Sequence, residues 1–563
     1  MTLHDLAARG DAAAVDKLLR SGANIDPRDQ NGRTPLMIAA TSQQAKAQLL
    51  RLLLQHGADP NAVVASDKGE SVLTLAVAEA SLEKIQILVE AGANVRFIDP
   101  AGYSILLRAL YRQLRENENC DVLDYLISQG APLDIESRYG ESVLRVSSCH
   151  GKFSLVKFIL ERGADPTPLG WNSLFHAIAF SELREIQALI NAGVSLENRD
   201  SWERTPFLLS VHAGRQNVAQ LLLDSGSDLN AKGRCGMTAP VFAIARDDAD
   251  MLRWLLGSGI DIAARDDFGH SPMQMAAEGG AVACVRVLLD AGASPTAPDA
   301  YGNRLINSAD HPEVIALLAA AGASLSDVQS SARSRLTGGG ADDDLVINEA
   351  DYRRHRTRSF GKRNPEGMNN PFWEEMIRTR ASAYSAGALF GEPSLHAEPI
   401  WCFSRFGQSL TQLPDGRYVE IGGEHEDSYD PDFCIYNDVV VHRGDGTCEI
   451  YGYPAEAFPP TNFHSATLCD GAIYIVGCLG YVDQRRPAET PVYRLCCDTW
   501  RIEKMKTRGD APGWIFKHEA MLIAPRRILI RGGSVVIDAD QEPVENTEAY
   551  ELDLDELVWK KAR

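Results

Sequence analysis

Gly32-Arg33-Thr34-Pro35-Leu36-Met37-Ile38-Ala39-Ala40 is the stretch on which the reading of this chain turns. A threonine can cap the first turn of a helix with its hydroxyl, and a proline directly after it removes an N–H that the helix would leave unpaired. The alanines that follow are small enough to let a neighbouring helix approach. Altered copies occur at Gly69-Glu70-Ser71-Val72-Leu73, Gly140-Glu141-Ser142-Val143-Leu144, Gly236-Met237-Thr238-Ala239-Pro240 and Gly269-His270-Ser271-Pro272-Met273. A second phrase, a hydrophobic helix end closed by glycine, keeps constant phase with the first. Its glycines are Gly22, Gly57, Gly92, Gly130, Gly163, Gly193, Gly226, Gly259, Gly292 and Gly322, at intervals of 35, 35, 38, 33, 30, 33, 33, 33 and 30. They suit a left-handed residue after a helix. Leucine-rich second helices (Leu52-Leu53-Leu54, Leu221-Leu222-Leu223, Val287-Leu288-Leu289) would fill the core between units. A period near 33 marks supersecondary units that stabilise one another by stacking.

The pattern resembles the ankyrin repeat, whose signature is Thr-Pro-Leu-His-x-Ala at this period. The resemblance covers residues 1–325 as ten units. It implies an α solenoid that binds other proteins through its turn tips and inner helices. Several features depart from the family pattern. An insertion near Arg112–Asn119 lengthens one inter-helix loop, and Glu203 stands where a turn glycine belongs, predicting a distorted turn. The last unit, Tyr301 to Leu325, is expected to be a short pair broken by Pro312. His176 is read into the family's histidine slot, where the resemblance implies a hydrogen-bonded loop anchor. The turn tips are aromatic: Tyr139, Trp202, Phe268 and Tyr301 precede the turn residue, while Tyr103 and Trp171 follow it. Exposed aromatics anchor interfaces. Tyr139, Trp171, Trp202, Phe268 and Tyr301 are therefore the candidate protein-binding residues, with Trp171 and Trp202 foremost. The alternative is that these rings fold back onto neighbouring turns.

Residues 326–370 read as a linker. Serine and glycine give way to Asp342–Asp344, then to a basic run of Arg353, Arg354, Arg356, Arg358, Lys362 and Arg363. The run is expected to be solvated or to pair with acidic surfaces, with an import signal or anionic-surface patch as the alternative. Pro371 to Phe390 predicts one amphipathic helix with Phe372, Trp373, Met376 and Ile377 grouped near its start.

From Ile400 the texture becomes β-rich. Strand-like runs end in Gly422-Gly423, Gly477-Cys478 and Gly532-Gly533, whose first glycines are spaced by 55 and 55. Matching strands end at Trp500 and near Trp559, and Phe463-His464-Ser465 parallels Lys517-His518-Glu519 upstream. This looks like Kelch repeats, propeller blades of about 50 residues. Three such blades over 371–563, the first with Asn437-Asp438-Val439-Val440-Val441 for its outer strand and no tryptophan, imply an all-β partial propeller. Three blades do not close a ring. Completion is expected from an extra blade in 371–405, or from capping by the 371–390 helix or the repeats, ahead of pairing with a second chain.

A net charge of −21 argues against nucleic acid as a partner, and the acidity is not local. Residues 341–563 carry 25 Lys and Arg against 37 acids, and residues 1–340 carry 31 against 40. The 11 cysteines, an odd number with no CxxC spacing, predict reduced thiols in the cytoplasm. Neither a membrane span nor a leader is expected. No phosphate loop, zinc spacing or nucleophile elbow is present, so no catalytic, cofactor or metal residue is assigned. The expectation is a monomeric, non-enzymatic scaffold for unidentified protein partners. Its alternative is an effector or enzyme with a site at the Glu424–Asp427 loop, flanked by Asp430 and Asp432, at the propeller mouth.

Overall fold

The computed structural model describes residues 2–64, 69–79, 81–113, 120–298, 302, 304–323, 325, 328–339, 345–391, 399–425, 433–538 and 542–562. The chain forms two compact units, Met1–Asp261 and Ile262–Arg563.

The first unit is eight helix pairs: Leu3–Arg9 with Ala12–Arg20, Pro35–Thr41 with Ala47–Gln55, Val72–Glu79 with Leu82–Glu90, Ile105–Gln113 with Asp121–Ser128, Val143–Cys149 with Phe153–Glu161, Ser173–Phe180 with Leu183–Asn191, Pro206–His212 with Gln216–Asp224, and Ala239–Ile244 with Ala249–Gly257. The signature residues do the local work assigned to them. Thr34 accepts from Met37 N (3.3 Å) and Thr205 accepts from Leu208 N (3.3 Å), with Pro35 and Pro206 at the first helical positions. No single centre holds the unit together. Buried Leu36, Leu50, Leu73, Leu88, Leu106 and Leu126 form a ribbon from one pair to the next. Long side chains tie successive pairs as well: Lys84 Nζ donates to the carbonyls of Ala39 (3.1 Å) and Ser42 (2.7 Å), and Arg215 Nη1 to that of Ile178 (2.8 Å). Both satisfy carbonyls at the end of the preceding pair's first helix.

Two local expectations are corrected. Glu203 adopts φ 59°, and its N–H donates to Asp200 O at 2.9 Å, as Gly32 N does to Asp29 O at 2.9 Å. A non-glycine residue has entered the left-handed region and the turn keeps its form. The cap of the sixth pair is Asn172, which accepts from Leu174 N and Phe175 N. Buried Phe175 therefore occupies the histidine slot. His176 lies one residue further on, exposed and edge-on to Phe180 at 5.1 Å.

The second unit begins with two more pairs, Pro272–Glu278 with Val282–Asp290, and a 3-10 turn at Leu305–Asn307 with Pro312–Ala320. Pro312 opens its helix at the first position instead of breaking a pair. Residues 326–370 carry helices at Ser330–Thr337 and Glu349–His355, in which Ala332, Arg333 and Tyr352 are buried. The basic run is partly engaged: Arg353 pairs with Glu349 (2.7 Å), and Arg358 Nη1 donates to Ile435 O (2.5 Å). Asp342–Asp344 lie outside the described residues. The expected single helix at 371–390 is two, Pro371–Thr379 and Ala383–Ala388, parted where Arg380 turns left-handed at φ 51°.

Three four-stranded antiparallel meanders follow. The first is Ser409–Gln412, Tyr418–Ile421, Val439–His442 and Cys448–Gly452. The second is Ser465–Cys469, Ala472–Val476, Val492–Cys496 and Ile502–Lys504. The third is Glu519–Ala524, Arg527–Arg531, Ala549–Asp553 and Val558–Lys561. Each belongs to its own open sheet. Phe372, Trp373, Met376 and Ile377 form one core with Trp401, Tyr436, Val440 and Ile450, and the Trp373 and Trp401 rings stack at 4.5 Å. Helical residues thus cover one face of the first meander. Its other face meets the second through Val419, Ile421, Ile473 and Ile475, and the second meets the third through Tyr474, Val476, Ile528 and Ile530. The third meander carries ion pairs: Arg527 with Glu551 (3.1 Å) and Asp553 (3.7 Å), and Arg531 with Glu519 (3.0 Å).

The glycine doublets mark close approaches. A Cβ on Gly422 would stand 2.3 Å from Thr461 O, and one on Gly477 would stand 2.2 Å from Ile515 O. In both cases the following residue donates to that same carbonyl, Gly423 N at 2.8 Å and Cys478 N at 3.0 Å. At Gly532 the added atom would meet nothing within 4 Å among the described residues.

Candidate functional site

The turn tips of the helix pairs are built by one device. A carboxylate three residues before the turn residue folds back on the backbone: Asp29 Oδ1 accepts from Asn31 N (2.9 Å) and Arg33 N (2.8 Å). Asp99, Asp200 and Asp266 repeat the arrangement, and Ser137 does so with its hydroxyl. The residue two places after this anchor is held at the tip, and in three units it is aromatic: Tyr139, Trp202 and Phe268. A D-x-x-G spacing in the sequence marks the anchors Asp29, Asp99 and Asp266, whereas Asp200 precedes Glu203 and Ser137 replaces the aspartate.

The candidates divide. Tyr139 is 75% exposed and Phe268 63%. Trp202 folds back, donating from Nε1 to Arg145 O at 3.1 Å with its ring between the Arg145 and Arg234 guanidinium groups at 5.5 and 5.3 Å. Trp171 is half-buried between Phe153 (6.3 Å) and Phe180 (5.9 Å), and its Nε1 reaches Asp200 Oδ2 at 3.4 Å. Tyr103 packs against Tyr111 and Tyr139. Tyr301 lies outside the described residues.

Behind Trp171 and Trp202 sits a buried polar network that sequence reading missed. Arg204 donates to Asp200 Oδ2 (2.6 Å), to Ser148 O (2.9 Å) and to Ser148 Oγ (2.6 Å), and contacts His212 Nδ1 (2.9 Å). Burial, then the adjacent Arg204 charge, holds the His212 pKa well below its ordinary value, so the imidazole is neutral and can accept from the guanidinium. Its Asp200–Arg204 contact repeats that of Asp29 and Arg33 (3.2 Å), whereas Ser148 and His212 join it from the fifth and seventh helix pairs, which no repeat spacing announced.

In the second unit, Glu424–His425 is a two-residue strand paired with Cys434–Ile435. Neighbouring strand residues face opposite ways. The Glu424 carboxylate accepts from Asn462 Nδ2 (2.5 Å), whereas His425 Nδ1 meets Cys402 Sγ (2.9 Å) in the buried interior. Burial raises the Glu424 pKa. The two residues proposed to work together are therefore not brought together. Glu426, Asp427, Asp430 and Asp432 lie outside the described residues. His464 and His518 are buried and neutral, pushed down to about 3 and about 4 by desolvation. They bridge meanders, His464 Nε2 to Ser409 Oγ (2.9 Å) and His518 Nε2 to Ser465 Oγ (2.8 Å).

Models for ankyrin repeats match residues 3–99 and 241–329, and a second such model matches 209–256. Roughly the first 330 residues are ankyrin repeats, and the region beyond is a β-rich set of open sheets that no Kelch model matches. Among similar proteins, the E3 ubiquitin-protein ligase KEG of Arabidopsis thaliana is 28% identical over 257 residues, 43% of this chain and 16% of that one. The potassium channel AKT2/3 of the same plant is 30% identical over 156 residues, 28% of this chain and 18% of the channel. The putative ankyrin repeat protein YahD of Escherichia coli K12 is 29% identical over 195 residues, 33% of this chain and 94% of its own length. The chain thus spans less than a fifth of the first two relatives. Ankyrin repeats imply protein–protein interaction. No helix among the described residues is long and apolar enough to cross a membrane.

Proposed function

We propose that this protein is a monomeric cytoplasmic scaffold that acts by binding partner proteins and not by turnover. Its ankyrin turn tips supply the contacts, and the β region is a Kelch-like partial propeller that offers a second surface. The observation that carries the reading is the pair of exposed tip rings, Tyr139 and Phe268. Each is held by a hydrogen-bonded anchor that leaves its aromatic face in water. A rigid, exposed aromatic is the kind of group that becomes an interface anchor. Trp171 and Trp202 then serve as the rigid base. Support for the Kelch-like reading comes from the three meanders and the matching contacts of Gly422 and Gly477 with the meander that follows each.

A photo-crosslinking residue placed in the full chain at position 139 or 268, expressed in cells, tests the scaffold reading. Adducts of defined mass at both positions, and none at exposed Lys157 on a second helix, are expected. Equal labelling at all three positions, or none at any, removes the tips from the function.

A further inference from the structure

In the second unit, a cavity of about 650 Å³ lies among the residues that follow the last helix pairs and the first strands of all three meanders. Its walls contradict the character of the chain. In a protein of net charge −21, the lining holds Arg304, Arg333, Arg380, Arg405, Lys517 and Arg531 against one lining carboxylate, Glu519. Two more carboxylates stand behind the wall, and each acid that reaches the cations is shared or single. Glu519 pairs with both Arg304 (2.6 Å) and Arg531 (3.0 Å). Glu420 pairs with both Arg380 (2.7 Å) and Arg333 (3.3 Å), and Asp438 pairs with Arg405. Lys517 makes no ion pair among the described residues, and its ammonium sits over the Phe463 ring at 4.6 Å. With Glu424, which acts on Lys517 through space, six cations face four carboxylates among the described residues.

Three of these cations are far from solvent, with side chains 9% (Arg333), 6% (Arg380) and 0% (Arg405) exposed. Like charges gathered in a desolvated wall are unfavourable unless an anion compensates them. Two buried donors on lining residues, Arg380 Nε and Gln408 Nε2, have no hydrogen-bond partner among the described residues. The backbone fixes the wall: Phe463 N donates to Gly407 O (2.7 Å) and Lys517 N donates to Phe463 O (2.9 Å), linking the entries of the three meanders. Phe403, Phe406 and Phe463 give the cavity apolar surface beside its charge. The volume falls within the range of small-molecule sites.

We infer that this cavity binds a small organic polyanion, a molecule with two or more carboxylate or phosphate groups on an apolar or planar body. Lys517 and Arg304 make the outer charge contacts, and Arg380 and Arg333 the inner ones. The site is independent of protein binding at the turn tips.

Calorimetric titration of the full-length chain with citrate, ADP and adenosine tests this. Citrate and ADP separate carboxylate from phosphate recognition, and adenosine removes the charge. Saturable binding of citrate, ADP or both is expected, with adenosine failing to bind. The bound anion should weaken roughly tenfold in Lys517→Gln and again in Arg304→Gln, and as salt is raised. Both variants alter side chains at the solvent side of the cavity, and their folding is checked by circular dichroism. The inference is overturned if neither anion binds at about 1 mM, if adenosine binds as tightly as ADP, or if both folded variants bind as the parent does.

Discussion

The helix pairs and the β meanders both repeat, yet they keep their period in different places. In the ankyrin region the repeat is written in contacts a few residues long: Thr34 to Met37 N, Asp29 to Arg33 N, Gly32 N to Asp29 O. In the β region it is written between modules: Gly422 against Thr461, Gly477 against Ile515, His464 to Ser409, His518 to Ser465. A local code survives substitution at any one position, as Glu203 shows by holding a glycine's conformation. A code carried by contacts such as His464 to Ser409 and His518 to Ser465, 55 and 53 residues apart, is expected to fail when one approach is blocked.

That contrast can be broken most forcefully at the doublets. Gly477→Ala should destabilise the second unit by roughly 4–6 kcal/mol, through strain at φ 71° and collision with Ile515 O. Gly532→Ala, at φ 66° with open space around it, should cost only about 1 kcal/mol. Chemical unfolding of the two variants side by side measures the gap, and equal losses would show that the meanders do not depend on the approach. In the helical unit, Arg204→Ala strands the buried Asp200 carboxylate and should cost about 3–5 kcal/mol. Hydrogen exchange should then rise across 143–161 and 206–224, whereas uniform loss over residues 2–261 would contradict a nearest-neighbour array.

A third test uses pH. His464 and His518 have folded pKa values of about 3 and about 4, below the unfolded value near 6.5. Their contribution is present above pH 6.5 and is lost as pH falls toward those folded values. Stability of the second unit should drop by about 2 kcal/mol per histidine between pH 7 and pH 5. His518→Gln should remove about half of that slope, and an unchanged slope would assign it to other groups. The smallest effect sharpens the local side of the comparison: Thr34→Ala should lower stability by about 1 kcal/mol, confined to the second and adjoining pairs.

Legibility followed the same division. The ten helix pairs could be read because cap, proline, alanine and closing glycine each act within their own unit. The sequence reading slipped where two alignments differ by one residue, at Ser173 to His176, since only the Asn172 cap decides between them. The β strands were visible from the doublets, whereas the helix break at Arg380 was not, because it depends on an arginine drawn to Glu420, 40 residues away. At the candidate site, the tip aromatics could be named but their exposure could not. Tyr139 and Trp202 occupy the same place in the turn and differ only in whether arginines from other units, Arg145 and Arg234, enclose the ring. Pairing Glu424 with His425 failed for a simpler reason: adjacent residues on a strand face apart.

The ion pairs of the third meander bear on self-assembly. Layered growth of sheet upon sheet, as in a fibril, requires dry apolar surfaces that interlock. A further sheet laid against Arg527, Arg531, Glu551 and Asp553 would have to strip water from four charges whose partners lie within their own sheet. An open series of sheets can therefore end on this charged ladder without inviting the next copy to continue it.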